Sequence, residues 1–411
     1  MLPTHRRRPM LAALLAATSY AATGFAAPAA AQTPAPVKIG VMGDQSGPYA
    51  DNGGPGSVLA ATMAIEDFGK TVLGRPIQLL VGDDQNKPDI GVAMARKWLN
   101  DDKVDAILTF TISPTALGVQ PLMTEAKKPH LIAGTGTADL TGRACSPMAI
   151  NFVYDTYVMP KAIARALVAD GKDTWFFITV DYAFGAAMEA AATQFVREAG
   201  GKVLGTAKHP LGTTDFASQL LQAQASGAKV VAFANAGADF TNALKQAGEF
   251  GLAKRGQTLA STGTTINTIV AVGLDAAQGM QFTVPFYWDM SEETRTWSRR
   301  FMARFGNKAP TFLQSGAYSA TWHYLNAIKA SGTTEGEAVM AKMKATPIND
   351  FQMKNVPIRA DGHVLRPMHL VQVKSPAESK EPYDVYKITA TVAPDSIWRT
   401  VKEAGCPYAQ N

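Results

Sequence analysis

Val37-Lys38-Ile39-Gly40-Val41-Met42 is a short apolar run of the kind that forms a strand buried on both faces of a sheet. A loop rich in glycine and polar residues follows it, and helical periodicity then extends from Gly53 to Lys70. A strand that continues through a loop into a helix is the repeating unit of parallel α/β sheets. The run therefore indicates the first unit of such a sheet.

The alternation of strand and helix continues after this unit. Apolar runs predict strands at 76–81, 104–110 and 129–133, and periodic apolar residues predict helices at 90–99 and 116–126. Continuous apolar strands are typical of sheets that helices cover on both faces. Right-handed crossovers would then wind helices onto both sides of one parallel sheet.

A second unit of the same kind begins after Asp155. Its predicted strands and extended segments lie at 175–180, 202–211 and 230–234, and its helices at 159–170, 184–199, 216–225 and 240–250. Later helices and extended segments are expected to complete both units, at 291–305, 316–330, 336–345, 369–373 and 383–388. The predicted fold class is α/β, with two doubly wound Rossmann-like lobes joined by several hinge crossings.

The expected domain organisation follows from these segments. The first lobe should comprise residues 37–154 and about 285–362, the second 155–284 and about 363–396, with a C-terminal tail at 397–411. A chain of this length is usually too long to fold around a single hydrophobic core. Hinges are expected near 153–155, 284–286 and 360–366, where the chain should cross between lobes.

The N-terminus has the pattern of a secretory signal peptide. Arginines at 6–8 precede an apolar run from Met10 to Ala31, which ends in the small residues Ala29-Ala30-Ala31. Cleavage after Ala31, giving a signal peptide of residues 1–31, predicts a periplasmic protein with no membrane anchor. A retained anchor is the weaker alternative, since polar residues and prolines interrupt the run.

Charge and motifs exclude several classes of function. The formal charge of +5 falls to +2 when the three signal-peptide arginines leave, and no basic stripe predicts nucleic-acid binding. Dinucleotide, nucleophile-elbow and phosphate-loop motifs are absent. Neighbouring carboxylates at 83–84 and 101–102 are typical of surface charge. We therefore expect no enzyme, no catalytic residue and no cofactor.

Two cysteines, Cys145 and Cys406, would enter an oxidising compartment after export. A single disulfide between them is favoured and would tie the tail to the body, with two buried free thiols as the alternative. The six histidines lack the mutual spacing of a metal site. We expect no bound metal.

Candidate ligand groups follow the predicted strands. Ligands of open parallel sheets bind beyond the carboxyl ends of the strands. Hydroxyl residues in these loops include Ser113, Thr115, Thr135 and Thr137, and helices begin beside them. Hydroxyls and helix N-terminal N–H groups together can hold a carboxylate. The alternative is that these residues only cap helices.

Aromatic residues near the expected lobe edges are candidates for holding an apolar ligand body. They include Tyr49, Tyr182, Phe184 and Tyr287. Ordinary core packing is the competing interpretation.

The order of several motifs resembles the type I periplasmic binding proteins of the branched-chain amino-acid (Leu/Ile/Val) class, which serve ABC importers. The matching segments are 37–41, Ser46-Gly47-Pro48, Gly53, 83–89, and 181–185 with Phe184 in place of a tyrosine. In that class, residues matching Ser113 and Thr137 hold the ligand carboxylate. The resemblance implies capture by hinge closure and permease subunits of the inner membrane as partners. We expect a monomer.

One departure from the class concerns ligand choice. Amino-acid binders supply an acidic residue from the second lobe for the ligand ammonium, but residues 260–267 contain none and offer Thr264 instead. Asn52 also replaces an aromatic residue common in the class. A buried ammonium without a counter-charge is costly. The sequence thus favours a non-amino-acid carboxylate, with aromatic acids among the candidates.

Three alternatives stay open at this point. The ligand could still be a branched-chain amino acid or an amide. The protein could also present its ligand to a chemoreceptor, because the same fold serves sensing.

Overall fold

The computed structural model describes residues 34–409, so the predicted signal peptide lies outside the described residues. The chain forms a six-stranded, a four-stranded and a three-stranded sheet. Within residues 34–409, no helix combines the length and apolar character needed to cross a bilayer.

The first lobe is built on the six-stranded sheet. Its strands are β1 (Val37–Gly43), β2 (Thr71–Val72), β3 (Arg75–Asp83), β4 (Ala106–Phe110), β5 (His130–Ile132) and β6 (Ala149–Asn151). Their order is β2-β3-β1-β4-β5-β6, and all pairs are parallel except β2 with β3. The chain reverses its direction of travel across the sheet between β1 and β4, which creates a switch point.

Helices cover both faces of this sheet. They are α1 (Gly54–Phe68), α2 (Pro88–Lys97), α3 (Ser113–Glu125), α10 (Glu292–Arg304), α11 (Phe312–Ser331) and α12 (Gly336–Ala345). On the α2 and α3 face, Trp98 and Met123 pack against Met42 and Ile107 of the strands. A Cβ on Gly40 would lie 2.5 Å from the Trp98 ring, so glycine there lets the indole reach the sheet.

Late chain segments return to the first lobe. Helix α11 packs along α1. Arg300 of α10 binds Asp67 at 2.6 Å, and Arg304 binds Glu66 at 2.5 Å, so α10 is also anchored to α1. These exposed pairs fix the position of α10 and add little to stability.

The second lobe repeats the winding of the first. Its strands β7 (Thr174–Val180), β8 (Lys202–His209), β9 (Val230–Ala234) and β10 (Thr258–Ser261) are parallel in the order β10-β9-β7-β8. Its helices are α4 (Val158–Ala169), α5 (Ala183–Glu198), α6 (Ala217–Ala225), α7 (Gly237–Glu249), α8 (Ile266–Val272) and α9 (Leu274–Ala277). Right-handed crossovers place α5 and α6 on opposite faces.

An antiparallel sheet completes the second lobe. It contains β11 (Gln281–Val284), β12 (Met368–Val373) and β13 (Tyr386–Val392), and β12 is central. Strand β12 follows α12 of the first lobe, so the chain has crossed back before Met368. The predicted fold class of two doubly wound lobes joined by several crossings is confirmed. The residue boundaries given above stay a prediction.

The C-terminal segment contains two single-turn helices, α13 (Pro394–Ile397) and α14 (Val401–Ala404), and is held by polar and covalent contacts. The Trp398 indole N–H donates to the Arg366 carbonyl at 2.8 Å. Cys406 is bonded to Cys145, with the two Cα atoms 5.5 Å apart and a sequence separation of 261.

Removing this crosslink should lower stability, because it closes a very long loop in the unfolded chain. We expect Cys406→Ser to lower the free energy of unfolding by roughly 2–5 kcal/mol. Urea denaturation of the purified protein, followed by circular dichroism, measures the change. Reductant should destabilise the wild type to the same extent and leave Cys406→Ser unaffected. Equal midpoints for the oxidised wild type and the variant would contradict this role.

Candidate ligand-binding site

A cavity lies where the carboxyl ends of the two parallel sheets meet. The first lobe contributes the last residue of β4 and residues that follow β1, β4 and β5: Tyr49, Asn52, Gly53, Phe110, Thr111, Ile112, Ser113, Gly134 and Gly136. The second lobe contributes residues that follow β7, β9 and β10: Tyr182, Phe184, Ala236, Gly263, Thr264 and Thr265. The cavity thus lies at the switch points of both sheets, where ligands of α/β proteins bind.

Two further parts of the chain close the cavity wall. Tyr154 lies just after β6, and Met159 lies in the first turn of α4. Phe312 and Leu313 are the first residues of α11. The Tyr154 and Phe312 rings meet edge to face with centroids 5.3 Å apart. The cavity wall is therefore partly aromatic.

Two hydroxyls on the wall have no hydrogen-bond partner in the protein. They are Ser113 Oγ and Thr264 Oγ1, and their residues are 1% and 2% exposed. Ser113 is the first residue of α3, and no side chain caps that helix. Pro114, at the second position, has no N–H, so the Ser113 and Thr115 N–H groups are the first-turn donors free to bind an anion, which the helix dipole also favours.

The phenol groups of Tyr49 and Tyr182 meet across the cavity. Their hydroxyl oxygens are 3.0 Å apart, one from each lobe. Burial is the main cause that raises the pKa of Tyr49, and burial also raises the pKa values of Tyr154 and Tyr182. All three phenols therefore stay protonated near neutral pH and can donate hydrogen bonds.

Asp239 is a buried carboxyl in the first turn of α7. Its oxygens accept from the Gly212 N–H at 3.1 and 3.2 Å, and His209 Nδ1 is 3.9 Å away. Burial raises the pKa of Asp239 to about 6, and the Gly212 bond only partly opposes this rise. His209 does not supply a charge near neutral pH, because burial lowers its pKa.

Six of the residues proposed from sequence lie on the cavity wall. They are Tyr49, Asn52, Ser113, Tyr182, Phe184 and Thr264. Each follows a parallel strand or opens the next helix, so the rule about strand ends identified them.

Four others lie away from the wall. Thr135 Oγ1 donates to the Thr111 carbonyl at 2.8 Å, and Thr137 Oγ1 accepts from the Asp139 N–H as a helix cap. The Thr115 methyl faces Gly91 of α2. The Tyr287 hydroxyl donates to the Tyr383 carbonyl at 3.0 Å. Of the four hydroxyl residues proposed to hold a carboxylate, only Ser113 lines the cavity.

Sequence reasoning missed the wall residues that have no polar signal. Gly134 and Gly136 leave room for the aromatic rings, since a Cβ on Gly136 would lie 3.0 Å from both Tyr154 and Phe184. Phe312 comes from a helix far along the chain that only the tertiary fold brings to this cavity.

The wall residues are uncharged. Among the described residues that line the cavity, none is aspartate, glutamate, lysine, arginine or histidine. Within residues 34–409, no group of three histidine, cysteine or acidic side chains is arranged to hold a metal ion. The site offers hydroxyls, peptide groups and aromatic rings.

A model of the periplasmic binding protein family matches residues 36–380. The chain belongs to this family. A periplasmic binding protein from Burkholderia mallei is 41% identical, covering 91% of this chain and 99% of that one, with a TM-score of 0.89. A branched-chain amino-acid ABC transporter periplasmic ligand-binding protein from Burkholderia xenovorans is 36% identical over 90% of this chain and 99% of that one, with a TM-score of 0.80.

This periplasmic binding protein is of type I, in the Leu/Ile/Val-binding class of ABC-transporter substrate-binding proteins. A solute-binding protein of an ABC transporter from Rhodopseudomonas palustris, solved with 3,4-dihydroxybenzoic acid, also shares the fold. It is 24% identical, covers 87% of this chain and 97% of that one, and has a TM-score of 0.79.

The raised pKa of Asp239 predicts a pH-dependent cost in stability. The folded state retains the proton up to about pH 6, whereas the unfolded carboxyl loses it near its ordinary value of 3.8, so stability falls as pH rises between them. Asp239→Asn should therefore be more stable than the wild type at pH 7.5, by roughly 2–3 kcal/mol, and nearly equal at pH 4.

Urea denaturation at the two pH values checks this expectation. Asp275→Asn, a change at an exposed carboxylate, is the control, and its free energy of unfolding should equal that of the wild type at both pH values. A stability difference between Asp239→Asn and wild type that is the same at both pH values would contradict the assignment.

Proposed function

We propose that this periplasmic binding protein is the substrate-binding component of an ABC importer and captures a small organic carboxylate with an aromatic body. The observation that carries the proposal is the cavity itself. It joins unpartnered hydroxyls and a free helix N-terminus to aromatic walls, with no ionic side chain among its described lining residues.

The carboxylate would bind at the start of α3. Ser113 Oγ is buried and free of protein partners, and the first-turn N–H groups of α3 lack a side-chain cap. Hydrogen bonds from these groups can stabilise a negative charge without a buried cation. Thr264 Oγ1, from the second lobe, is a second free donor on the same wall.

The rest of the ligand would lie between aromatic side chains. Tyr154 and Phe312 supply one pair of rings, and Tyr182 and Phe184 supply another, with centroids 6.0 Å apart. Flat rings pack favourably against such walls, by offset stacking or edge to face. This arrangement favours an aromatic acid over a short aliphatic one.

An α-amino acid fits the cavity less well. Its ammonium group needs a carboxylate partner when it is buried. The second-lobe wall presents Thr264 and Thr265 where that carboxylate is expected. The Rhodopseudomonas palustris neighbour was solved with an aromatic acid, which supports the same class of ligand.

Capture would occur by hinge closure of the two lobes. We assign the hinges to the crossings near 153–155, 284–286 and 360–366. Arg366 donates to the Pro285 carbonyl at 2.7 Å and to the Phe152 carbonyl at 3.5 Å, so one buried side chain joins all three crossings. Closure would occur by rotation about this shared point.

The proposed role needs permease subunits of the inner membrane as partners and export through the N-terminal signal.

The proposed role also involves no chemical change of the ligand. Mass spectrometry after incubation with the protein should therefore recover the ligand unaltered. A chemically changed compound would assign an enzymatic activity instead.

A thermal-shift panel tests the ligand class. Benzoate, 4-hydroxybenzoate and 3,4-dihydroxybenzoate should raise the melting temperature, since a ligand at 100 times its Kd adds about 2.7 kcal/mol to the native state. Three compounds serve for comparison. Leucine and phenylalanine carry an ammonium group beside the carboxylate, and benzamide has an amide in place of the carboxylate. Stabilisation by leucine without stabilisation by the aromatic acids would refute the proposed ligand class.

Ser113→Ala tests the carboxylate site. The change removes one hydrogen bond to a charged group, so the Kd for 3,4-dihydroxybenzoate should rise roughly 10- to 100-fold in isothermal titration calorimetry. Ser298→Ala is the matched control, because Ser298 Oγ is equally buried and unpartnered but lies in α10, away from the cavity. Equal affinities for the two variants would exclude Ser113 from the carboxylate site.

A further inference from the structure

One loop of the first lobe makes four hydrogen bonds to three segments of the second lobe. We call residues 47–52 the latch loop. Its bonds are Ala238 N–H to the Pro48 carbonyl (3.2 Å), Tyr49 hydroxyl with Tyr182 hydroxyl (3.0 Å), Asn267 Nδ2 to the Asp51 carbonyl (2.9 Å) and Thr265 Oγ1 to Asn52 Oδ1 (2.9 Å). The partners belong to the starts of α7 and α8 and to the loop before α5.

The latch loop is held in shape by its own lobe. The Asp44 carboxylate accepts from the backbone N–H groups of Gly47 at 2.5 Å and Tyr49 at 2.7 Å, and Asn86 Nδ2 donates to it at 2.6 Å. At the other end of the loop, Thr311 Oγ1 donates to the Asn52 carbonyl at 2.6 Å. Little conformational entropy is therefore left to lose when the loop meets the second lobe.

The second lobe is shaped to receive this loop. Gly237 opens α7 with φ of +60°, a conformation that glycine adopts without strain. A Cβ on Gly237 would lie 2.6 Å from both the Pro48 carbonyl oxygen and the Tyr49 ring. The two backbones can meet this closely because position 237 has no side chain.

We propose that the latch loop holds the lobes closed and that Asn267 is a positioning residue that sets how long the ligand is retained. This inference rests on the proposed function of capture by hinge closure. Asp51 and Asn267 are not part of the cavity wall, so their bond acts on the open–closed equilibrium and not on the ligand. Such a bond slows ligand release with little effect on the association rate.

The groove between the latch loop and the second lobe also contains a matched control residue. Asn242 and Asn267 line the same groove beside the latch loop. Asn242 Nδ2 donates to the Thr213 carbonyl at 3.5 Å, within the second lobe. Removal of either amide takes the same atoms from the groove, but only Asn267→Ala breaks a bond between lobes.

Pulsed electron paramagnetic resonance of the ligand-free protein tests the latch directly. Spin labels attached to Arg96→Cys in α2 and Leu221→Cys in α6, both exposed positions, report the distance between lobes. The wild type should show a closed population. Asn267→Ala should lower the closed-to-open ratio roughly 3- to 10-fold, the effect of one net hydrogen bond, and Asn242→Ala should leave it unchanged.

Thr265→Val, which breaks the bond to Asn52, should lower the ligand-free ratio in the same way, so the test does not depend on one variant. Stopped-flow binding of 3,4-dihydroxybenzoate adds a kinetic readout: Asn267→Ala should raise koff by a similar factor and leave kon unchanged. A wild type with no closed population, or equal populations in wild type and Asn267→Ala, overturns the latch. If 3,4-dihydroxybenzoate does not bind, the proposed ligand is wrong. The spin-label distances of the ligand-free protein still test the role of the latch loop, because they need no ligand.

Discussion

A strand buried on both faces of a parallel sheet must pass the chain to a helix beyond its carboxyl end, because the next parallel strand starts at the opposite edge. Strand ends and helix N-termini therefore collect along one edge of each lobe. In this protein the two edges face each other, with the ends of β1, β4, β7 and β9 around one cavity. The position of the site is a consequence of the winding.

This geometry also explains how an uncharged cavity can suit an anion. Peptide N–H groups at a helix start and free hydroxyls can stabilise a carboxylate, and they have a smaller desolvation cost than a buried lysine or arginine. Ser113 combines both features, since it is a buried hydroxyl and the first residue of α3. In the proposed function, the same wall disfavours an α-amino acid, because it offers the ligand ammonium no counter-charge.

The contacts around the cavity divide into two kinds. Arg366 joins the three crossings at the hinge side through carbonyl oxygens, and burial lowers its pKa to about 10, which still leaves it charged near neutral pH. The latch loop joins the lobes through hydrogen bonds that the proposed opening would break. In the proposed capture, the Arg366 contacts would stay formed while the latch-loop contacts break and re-form.

The sequence by itself determined the alternation of strands and helices, because burial on two faces requires apolar runs and helix packing requires periodic apolar positions. It therefore predicted the winding of both lobes and the loops that carry Ser113, Tyr182 and Thr264. It missed short elements such as β6 and β10, whose few residues are too brief a pattern to separate from a loop. Only the tertiary structure decided which hydroxyls face the cavity: Thr135 and Thr137 satisfy their own backbone neighbours, whereas Ser113 has no such partner. Phe312 reaches the wall, and Asn267 the latch loop, through contacts between distant parts of the chain, which local patterns do not encode.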